Sequence, residues 1–298
     1  MLVSESELAL LVQDWVFTLK AKHLSPSTIR SYTDSVGLLD EHLVAAGVTD
    51  VADIDRQRIE KFLIGQSERV SSGTVLTRFR AIRVFFNWLI DTEEIAVSPM
   101  ARMKEPRSTQ RPPDVPDDDD VCRLLRSLGG KSFNDRRDLA LFRFLFDTGA
   151  RIGEAIGLGV DDVNEAKLIA TVRGKGDKIR PVPIGNRTAQ ALLAYRRERR
   201  KHRRADSPVL FLGQRGPVTY AAAYHIVHGR ATAVGIKLHP HQTRHWLAHT
   251  WLRDGGTEGG LRAVGGWESN IVMARYGASA AAERARGEHK RMSPGDKL

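Results

Sequence analysis

The chain has 298 residues, of which 41% are hydrophobic and 28% are charged, an ordinary composition for a folded protein that is long enough for two domains. Its 46 lysines and arginines outnumber its 36 aspartates and glutamates, and the resulting formal charge of +10 favours a polyanionic partner, nucleic acid before membrane. A single cysteine excludes an internal disulfide framework, and neither a long apolar run nor a leader pattern is present, so we expect a cytoplasmic protein.

The first 95 or so residues carry the apolar spacing of amphipathic helices and few strand signals. One helix is predicted to begin at Ser25-Pro26, a capping residue followed by proline in the first turn. A later helix places five apolar residues on one face: Val75, Phe79, Ile82, Phe86 and Leu89. Its other face carries Arg78, Arg80 and Arg83, which are either solvated or candidate contacts to DNA phosphates.

A proline-rich segment interrupts the helical pattern. Because Pro106, Pro112 and Pro113 cannot continue a helix or a central strand, we predict a linker over residues 104–114. This boundary gives a helical domain over 1–103 and a second domain over 115–298. The acidic run Asp117–Asp120 is predicted to form the first turn of a helix rather than a metal site, because adjacent aspartates spread around a helix.

The second domain is predicted to be mainly helical with one β-hairpin. Two β-rich runs flank Gly-Lys-Gly-Asp, which places Lys175 at the tip of the hairpin and Lys178 just after it. Further on, the dense basic run AYRRERRKHRRADSP is compatible with a helix and with general attraction to phosphate.

Three further polar groupings stand out. Arg151 and Glu154 lie three residues apart in DTGARIGEAIGL, so the carboxylate can orient the guanidinium, although a plain surface pair is the alternative. His241 and Arg244 lie one turn apart in HPHQTRHWLAHTWL. In LRAVGGWESNIVMARYGA, a tryptophan precedes a tyrosine by nine residues. Either aromatic residue could equally be a packing residue.

The histidine-rich segment also permits a zinc hypothesis. Three histidines follow the four-residue spacing of a helix, His241, His245 and His249, and His239 lies two residues before them. The hypothesis is weak, because no glutamate follows in the HExxH manner and Arg244 would place a cation beside the metal. We therefore predict no metal site.

The order of these groupings resembles the tyrosine recombinase (phage integrase) family over nearly the whole chain. TGARIGEAIGL, RGKGDKIRPVPI, HPHQTRHWLAH and VGGWESNIVMARY are similar to the family's four active-site boxes. The resemblance implies a mainly α fold with a small β-hairpin or sheet in the catalytic domain, in the two-domain tyrosine recombinase architecture. Residues 1–103 would form a core-type, SAM-like DNA-binding domain, and residues 115–298 the catalytic domain. With no additional arm-binding module, the chain resembles a compact member.

The resemblance also implies an active site and a chemistry. The six implied catalytic residues are Arg151, Lys175, His241, Arg244, Trp267 and the nucleophile Tyr276, supported by Glu154 and His245. The arginines would clamp a phosphate, the histidine and lysine would move protons, and the tyrosine would form a 3′-phosphotyrosyl link without ATP, metal or another cofactor. Three departures from the family pattern are Trp267, where histidine is commoner, Thr243, and the run Val264-Gly265-Gly266.

The expected substrate is a pair of double-stranded DNA attachment sites, on which the resemblance implies a homotetramer. An accessory DNA-bending or directionality factor is a further expected partner. Integration of a phage or other mobile element is the leading hypothesis. A Xer-like resolvase of chromosome or plasmid dimers is the alternative within the family. Outside it, the alternatives are a type IB topoisomerase, a DNA-binding protein with an idle site and a metal-dependent nuclease.

Overall fold

A computed structural model describes residues 6–107, 114–174, 177–267 and 270–297. The chain divides into two compact units, Met1–Arg111 and Pro112–Leu298. Within the described residues, every helix is too short or too polar to cross a membrane.

The first unit is built from four α-helices within its described residues: α1 (Glu7–Ala21), α2 (Pro26–Ala45), α3 (Arg56–Ser67) and α4 (Ser72–Asp91). Each begins at a side chain that accepts a hydrogen bond from the first turn, and the predicted cap at Ser25 with Pro26 after it is confirmed. The five apolar residues predicted for one face of α4 are all buried, and the rings of Trp15 and Phe85 meet edge to face at 5.0 Å.

The second unit contains the remaining α-helices of the described residues: α5 (Asp118–Ser127), α6 (Phe133–Thr148), α7 (Ile152–Ile156), α8 (Asn186–Arg199), α9 (Tyr220–Thr232), α10 (Pro240–Arg253), α11 (Glu258–Gly265) and α12 (Asn270–Met292). The main sheet has three antiparallel strands in the order β1 (Val163–Asn164), β2 (Ile169–Arg173) and β3 (Ile179–Pro183). A second small sheet pairs β4 (Leu212–Gly213) with β5 (Gly216–Pro217). The predicted hairpin is therefore confirmed, while its tip residue Lys175 lies outside the described residues.

The buried helix α6 lies at the centre of this unit and packs on α8 and α10. The predicted acidic first turn is confirmed at the start of α5. This acidic turn also joins α5 to α10. Asp118 accepts a hydrogen bond from the Trp246 indole at 2.8 Å and forms an ion pair with Arg253 at 2.9 Å.

The basic run that covers the end of α8 and the turns after it is partly structural, which the sequence did not reveal. Arg199 is only 6% exposed, and its guanidinium donates to the backbone carbonyls of Leu210, Ala205, Ser207 and Val209. A cation that satisfies four carbonyls inside the fold is not available to a phosphate.

Candidate active site

The first polar grouping forms where α6 gives way to α7. Helix α6 ends at Gly149, whose φ of 58° lies in the left-handed region that glycine adopts without strain. The chain then turns so that Arg151 precedes α7, with its backbone N–H donating to Glu154 Oε2 at 2.9 Å. The Arg151 guanidinium donates to Glu154 Oε1 at 2.8 Å, which is the contact predicted from their spacing.

A second arginine, which sequence reasoning missed, holds the other side of that carboxylate. Arg180 on β3 donates to both oxygens of Glu154, at 2.8 and 3.2 Å. Burial alone would raise the pKa of Glu154, but the hydrogen bonds from Arg180 and Arg151 outweigh it and hold the pKa below its usual value. The sequence could have indicated this arginine, because side chains alternate between the two faces of a strand and Arg180 shares a face with the buried Val182.

Arg244 is the most buried cation of the site. Its side chain rises from α10, its Nη1 donates to the carbonyl oxygen of Gly149 at 2.5 Å, and its Cζ lies 3.8 Å from the Trp267 ring centroid. Its Nη2 is buried and has no hydrogen-bond partner among the described residues. Burial lowers the pKa of Arg244 to about 10, with a contribution from the charge of Arg151, so the group is still cationic at pH 7.

Arg151, Glu154 and Arg244 line one cavity of about 310 Å³. It is bounded by Ala150, Arg151, Ile152, Gly153, Glu154, Arg173, Gly174, Tyr220, Pro240, His241 and Arg244. Burial lowers the pKa of His241, and the charges of Arg244 and Arg151 lower it further, so the imidazole is held in its neutral form. The cavity thus combines permanent cations with a neutral imidazole, a set that suits an anionic ligand.

Tyr276 lies on α12 in a small apolar cluster and is 2% exposed. Its hydroxyl is hydrogen-bonded to Nδ1 of His245, and its ring meets that of Trp267 edge to face at 6.1 Å. A second link between the same two helices joins His249 Nε2 to Glu283 Oε2 at 2.6 Å. Helix α10 therefore carries two of the cavity's polar side chains and also contacts the tyrosine.

The histidines of the zinc hypothesis have separate surroundings. His241 borders the cavity, His245 and His249 contact α12, and His239 Nδ1 is hydrogen-bonded to the Tyr224 hydroxyl at 2.9 Å. Across the described parts of the chain, no three His, Cys, Asp or Glu side chains are placed to hold a metal ion.

The tentative DNA contacts have unequal surroundings. Arg80 pairs with Glu105 at 2.7 Å, and Arg83 donates to the carbonyl of Met103 while its Cζ lies 4.5 Å from the Phe79 ring centroid. Arg78 borders a separate groove together with Arg30 and several hydroxyl side chains. In the second unit, Lys178 is exposed just before β3.

Comparison with known families agrees with this arrangement. The profile described as the phage integrase family matches residues 117–283, and the phage integrase N-terminal SAM-like domain matches residues 12–93. The chain belongs to the phage integrase family of tyrosine recombinases. The resemblance seen in the sequence boxes is therefore confirmed.

Relatives of this recombinase cover most of its length. The tyrosine recombinase XerD of Listeria monocytogenes is 31% identical over 263 residues, covering 85% of this chain and 88% of the relative. The tyrosine recombinase XerC of Actinobacillus pleuropneumoniae is 29% identical over 255 residues, covering 84% and 81%.

Solved structures confirm the mainly α, two-domain tyrosine recombinase fold. XerH bound to its palindromic difH substrate, in a post-cleavage complex, superposes with a TM-score of 0.77 at 18% identity, covering 93% of this recombinase and 82% of that chain. The Tn1549 transposon integrase in complex with transposon right end DNA gives a TM-score of 0.74 at 17% identity, covering 95% and 99%.

Proposed function

We propose that this recombinase cuts and rejoins double-stranded DNA at specific sites through a 3′-phosphotyrosyl link to Tyr276, with no metal ion or ATP. The observation that carries the proposal is the buried Nη2 of Arg244, which has no hydrogen-bond partner in the described parts of the chain and belongs to a cavity that also holds Arg151 and His241. A buried cationic donor costs free energy unless something pairs with it, and a phosphodiester oxygen fits both its charge and its geometry.

The reaction exchanges one phosphate ester for another. The Tyr276 oxygen attacks the phosphorus, the bond to the 5′-oxygen breaks, and the phosphate is left joined to the tyrosine on the 3′ side. The phenol proton passes to a nearby base, and Lys175 donates a proton to the departing 5′-oxygen. Because the phosphoester bond is conserved, a second 5′-hydroxyl can reverse the reaction and reseal DNA.

Negative charge grows on the non-bridging oxygens during attack, and the arginines stabilise it. Arg151 and Arg244 are permanently charged forks that can each donate two hydrogen bonds to one phosphate. His241 supplies a hydrogen bond or accepts a proton in the same cavity. The Trp267 ring lies against the Arg244 guanidinium, so it fixes that cation in addition to any donation from its indole N–H.

The tyrosine must change its surroundings before it can attack. Its side chain is 2% exposed and its hydroxyl is hydrogen-bonded to His245. A shift of α12 on DNA binding would bring the phenol towards the cavity that His241 borders, the ring centroids of His241 and His245 being 6.3 Å apart. His245, which the hydroxyl contacts before that shift, is positioned to take the phenol proton as the tyrosine leaves.

Strand exchange requires two duplexes and one active site for each of four cut strands, so the proposed assembly is a homotetramer on DNA in the cytoplasm. Integration of a mobile element, with accessory DNA-bending or directionality factors, is the proposed role. Xer-like dimer resolution is the second candidate, and the identity to XerC and XerD proteins over more than four fifths of the chain favours it. An excised circle, sought by PCR across the joined ends of the surrounding element, would appear only in the first case.

The chemistry is tested by incubating the recombinase in EDTA with DNA that flanks its own gene. A covalent protein–DNA adduct on a denaturing gel, absent with Tyr276→Phe, is the expected result. If the Tyr276→Phe variant still formed the adduct, another residue would be the nucleophile. Absence of any adduct while DNA is demonstrably bound would leave a DNA-binding protein, and loss of cleavage in EDTA would favour a metal nuclease.

A further inference from the structure

Arg180 joins three segments of the catalytic unit. It lies on β3, it donates to both carboxylate oxygens of Glu154, and its Nη2 and Nε reach the backbone carbonyls of Gly265 and Val264 at 3.3 and 3.5 Å. Its side chain is only 17% exposed, and the Glu154 side chain is 4% exposed. One guanidinium therefore connects the β-hairpin, the start of α7 and the end of α11.

Two glycines leave room for this ion pair. A Cβ atom on Gly266, whose φ is +65°, would lie 2.8 Å from Nε and 2.9 Å from Cζ of Arg180. A Cβ atom on Gly174 would lie 3.3 Å from Glu154 Oε1 and 3.5 Å from Arg180 Nη1. The second glycine of the Val264-Gly265-Gly266 run, a departure from the family pattern, thus lies against the guanidinium of Arg180.

Each segment that Arg180 contacts is adjacent to a proposed catalytic residue. Gly174 directly precedes Lys175, and Gly266 directly precedes Trp267. Glu154 holds the backbone N–H and the guanidinium of Arg151. Arg180 itself is absent from the side chains that bound the cavity, so its contacts are with the supports of the site and not with the cavity.

We propose that Arg180 is a positioning residue, which fixes the segments carrying Arg151 and Trp267 relative to one another while making no contact with the DNA phosphate. The inference rests on the proposed function, since those two residues must act in one site. This role requires an arginine, because the guanidinium donates to both oxygens of the Glu154 carboxylate and also reaches the carbonyls of Val264 and Gly265 in different directions. A lysine ammonium has the charge but not the planar fork.

The test separates positioning from stability. Arg180→Lys keeps the charge, and we expect its DNA affinity to stay within about threefold of the parent while single-turnover adduct formation at saturating DNA falls about 10- to 100-fold, the loss typical of slightly misplaced groups. Arg230→Lys is the matched control, because Arg230 also holds a buried carboxylate, Asp138, at 2.8 Å in the same unit but lies away from the cavity. Its adduct rate per folded molecule should equal that of the parent.

A second variant guards against misfolding. Arg180→Gln combined with Glu154→Gln replaces the buried ion pair by two amides, so no buried charge is left unpaired, because Arg151, which also loses its carboxylate, has a side chain that is 45% exposed to solvent. We expect this double variant to unfold near the parent's temperature and yet to form adduct at least about tenfold more slowly.

Three results would count against the proposal. Parent-like rates in Arg180→Lys or in the double variant would overturn the positioning role while leaving the tyrosine chemistry intact. Equal rate losses in Arg180→Lys and Arg230→Lys would make Arg180 a purely structural residue. Failure of the parent to form a Tyr276-dependent adduct would overturn the proposed function and this inference together.

Discussion

The Tyr276 hydroxyl on α12 is hydrogen-bonded to Nδ1 of His245 on α10, and the Tyr276 side chain is almost completely buried. The proposed nucleophile is therefore in contact with a group that can accept its proton. That group belongs to the helix that also supplies His241 and Arg244 to the cavity, so one helix connects the tyrosine to the cavity.

Replacing His245 by Leu should slow adduct formation about tenfold or more, because the phenol loses the group positioned to take its proton. The measurement is the single-turnover rate with saturating DNA. His289→Leu, a change at an exposed histidine on the same helix as Tyr276, is the control and should leave the rate unchanged. A faster rate in His245→Leu would instead identify the hydrogen bond as a restraint on the tyrosine.

Arg244→Lys should reduce adduct formation by about 100-fold or more, the loss typical of removing one transition-state donor. Lysine cannot donate to the Gly149 carbonyl and a phosphate with the same planar fork, and it loses the stacking on Trp267. The control is Arg253→Lys, on the same helix but paired with Asp118 and Asp254. Similar losses in both variants would argue for a general effect on α10.

His241 should be neutral in the folded protein at pH 7, because burial and the two arginine charges lower its pKa below 6.5. The unfolded chain therefore binds more protons than the folded chain as the pH falls through 6.5. Protonation of this histidine favours unfolding, so the free energy of unfolding decreases on acidification. The imidazole signal that disappears in His241→Gln should titrate in an NMR experiment with a midpoint below 6.5. A midpoint above 6.5 would contradict the prediction.

Gly265→Ala should disturb the site although alanine is the better helix former by about 1 kcal/mol. A Cβ atom on Gly265 would lie 1.7 Å from Cζ3 of Trp267, so the indole must leave its place against Arg244. We expect a lower melting temperature and slower adduct formation. In a Trp267→His background the smaller ring should remove most of the loss in melting temperature and in rate. Equal losses in both backgrounds would show that the added methyl group does not act through the indole.

DNA binding by the first unit should depend on Arg78 more than on Arg83. Arg83 already donates to the Met103 carbonyl and lies over the Phe79 ring, whereas Arg78 borders a polar groove. Arg78→Gln should reduce the slope of log affinity against log salt by about 0.9, the value of one lost phosphate contact, and Arg83→Gln should not. A reversed order of the two slopes would contradict this.

Much of the fold follows from local sequence signals. The cap at Ser25, the acidic turn at the start of α5 and the glycine-bearing hairpin each depend on residues within a few positions of one another, and all three were predicted. The Arg151–Glu154 contact was predicted from their three-residue spacing, although Arg151 precedes α7 and the contact is that of a helix N-cap. The motifs and their order also indicated the family.

The sequence by itself indicated several of the helices, the hairpin, the family and a set of candidate side chains. Tertiary structure decided which of them meet: Arg180 with Glu154, Arg244 with Gly149 and Trp267, and His245 with Tyr276. These contacts join residues from distant parts of the chain, and each depends on how α6, β3 and α10–α12 pack together. Periodicity and capping act over one or two turns, so they cannot specify which distant side chains share a buried site.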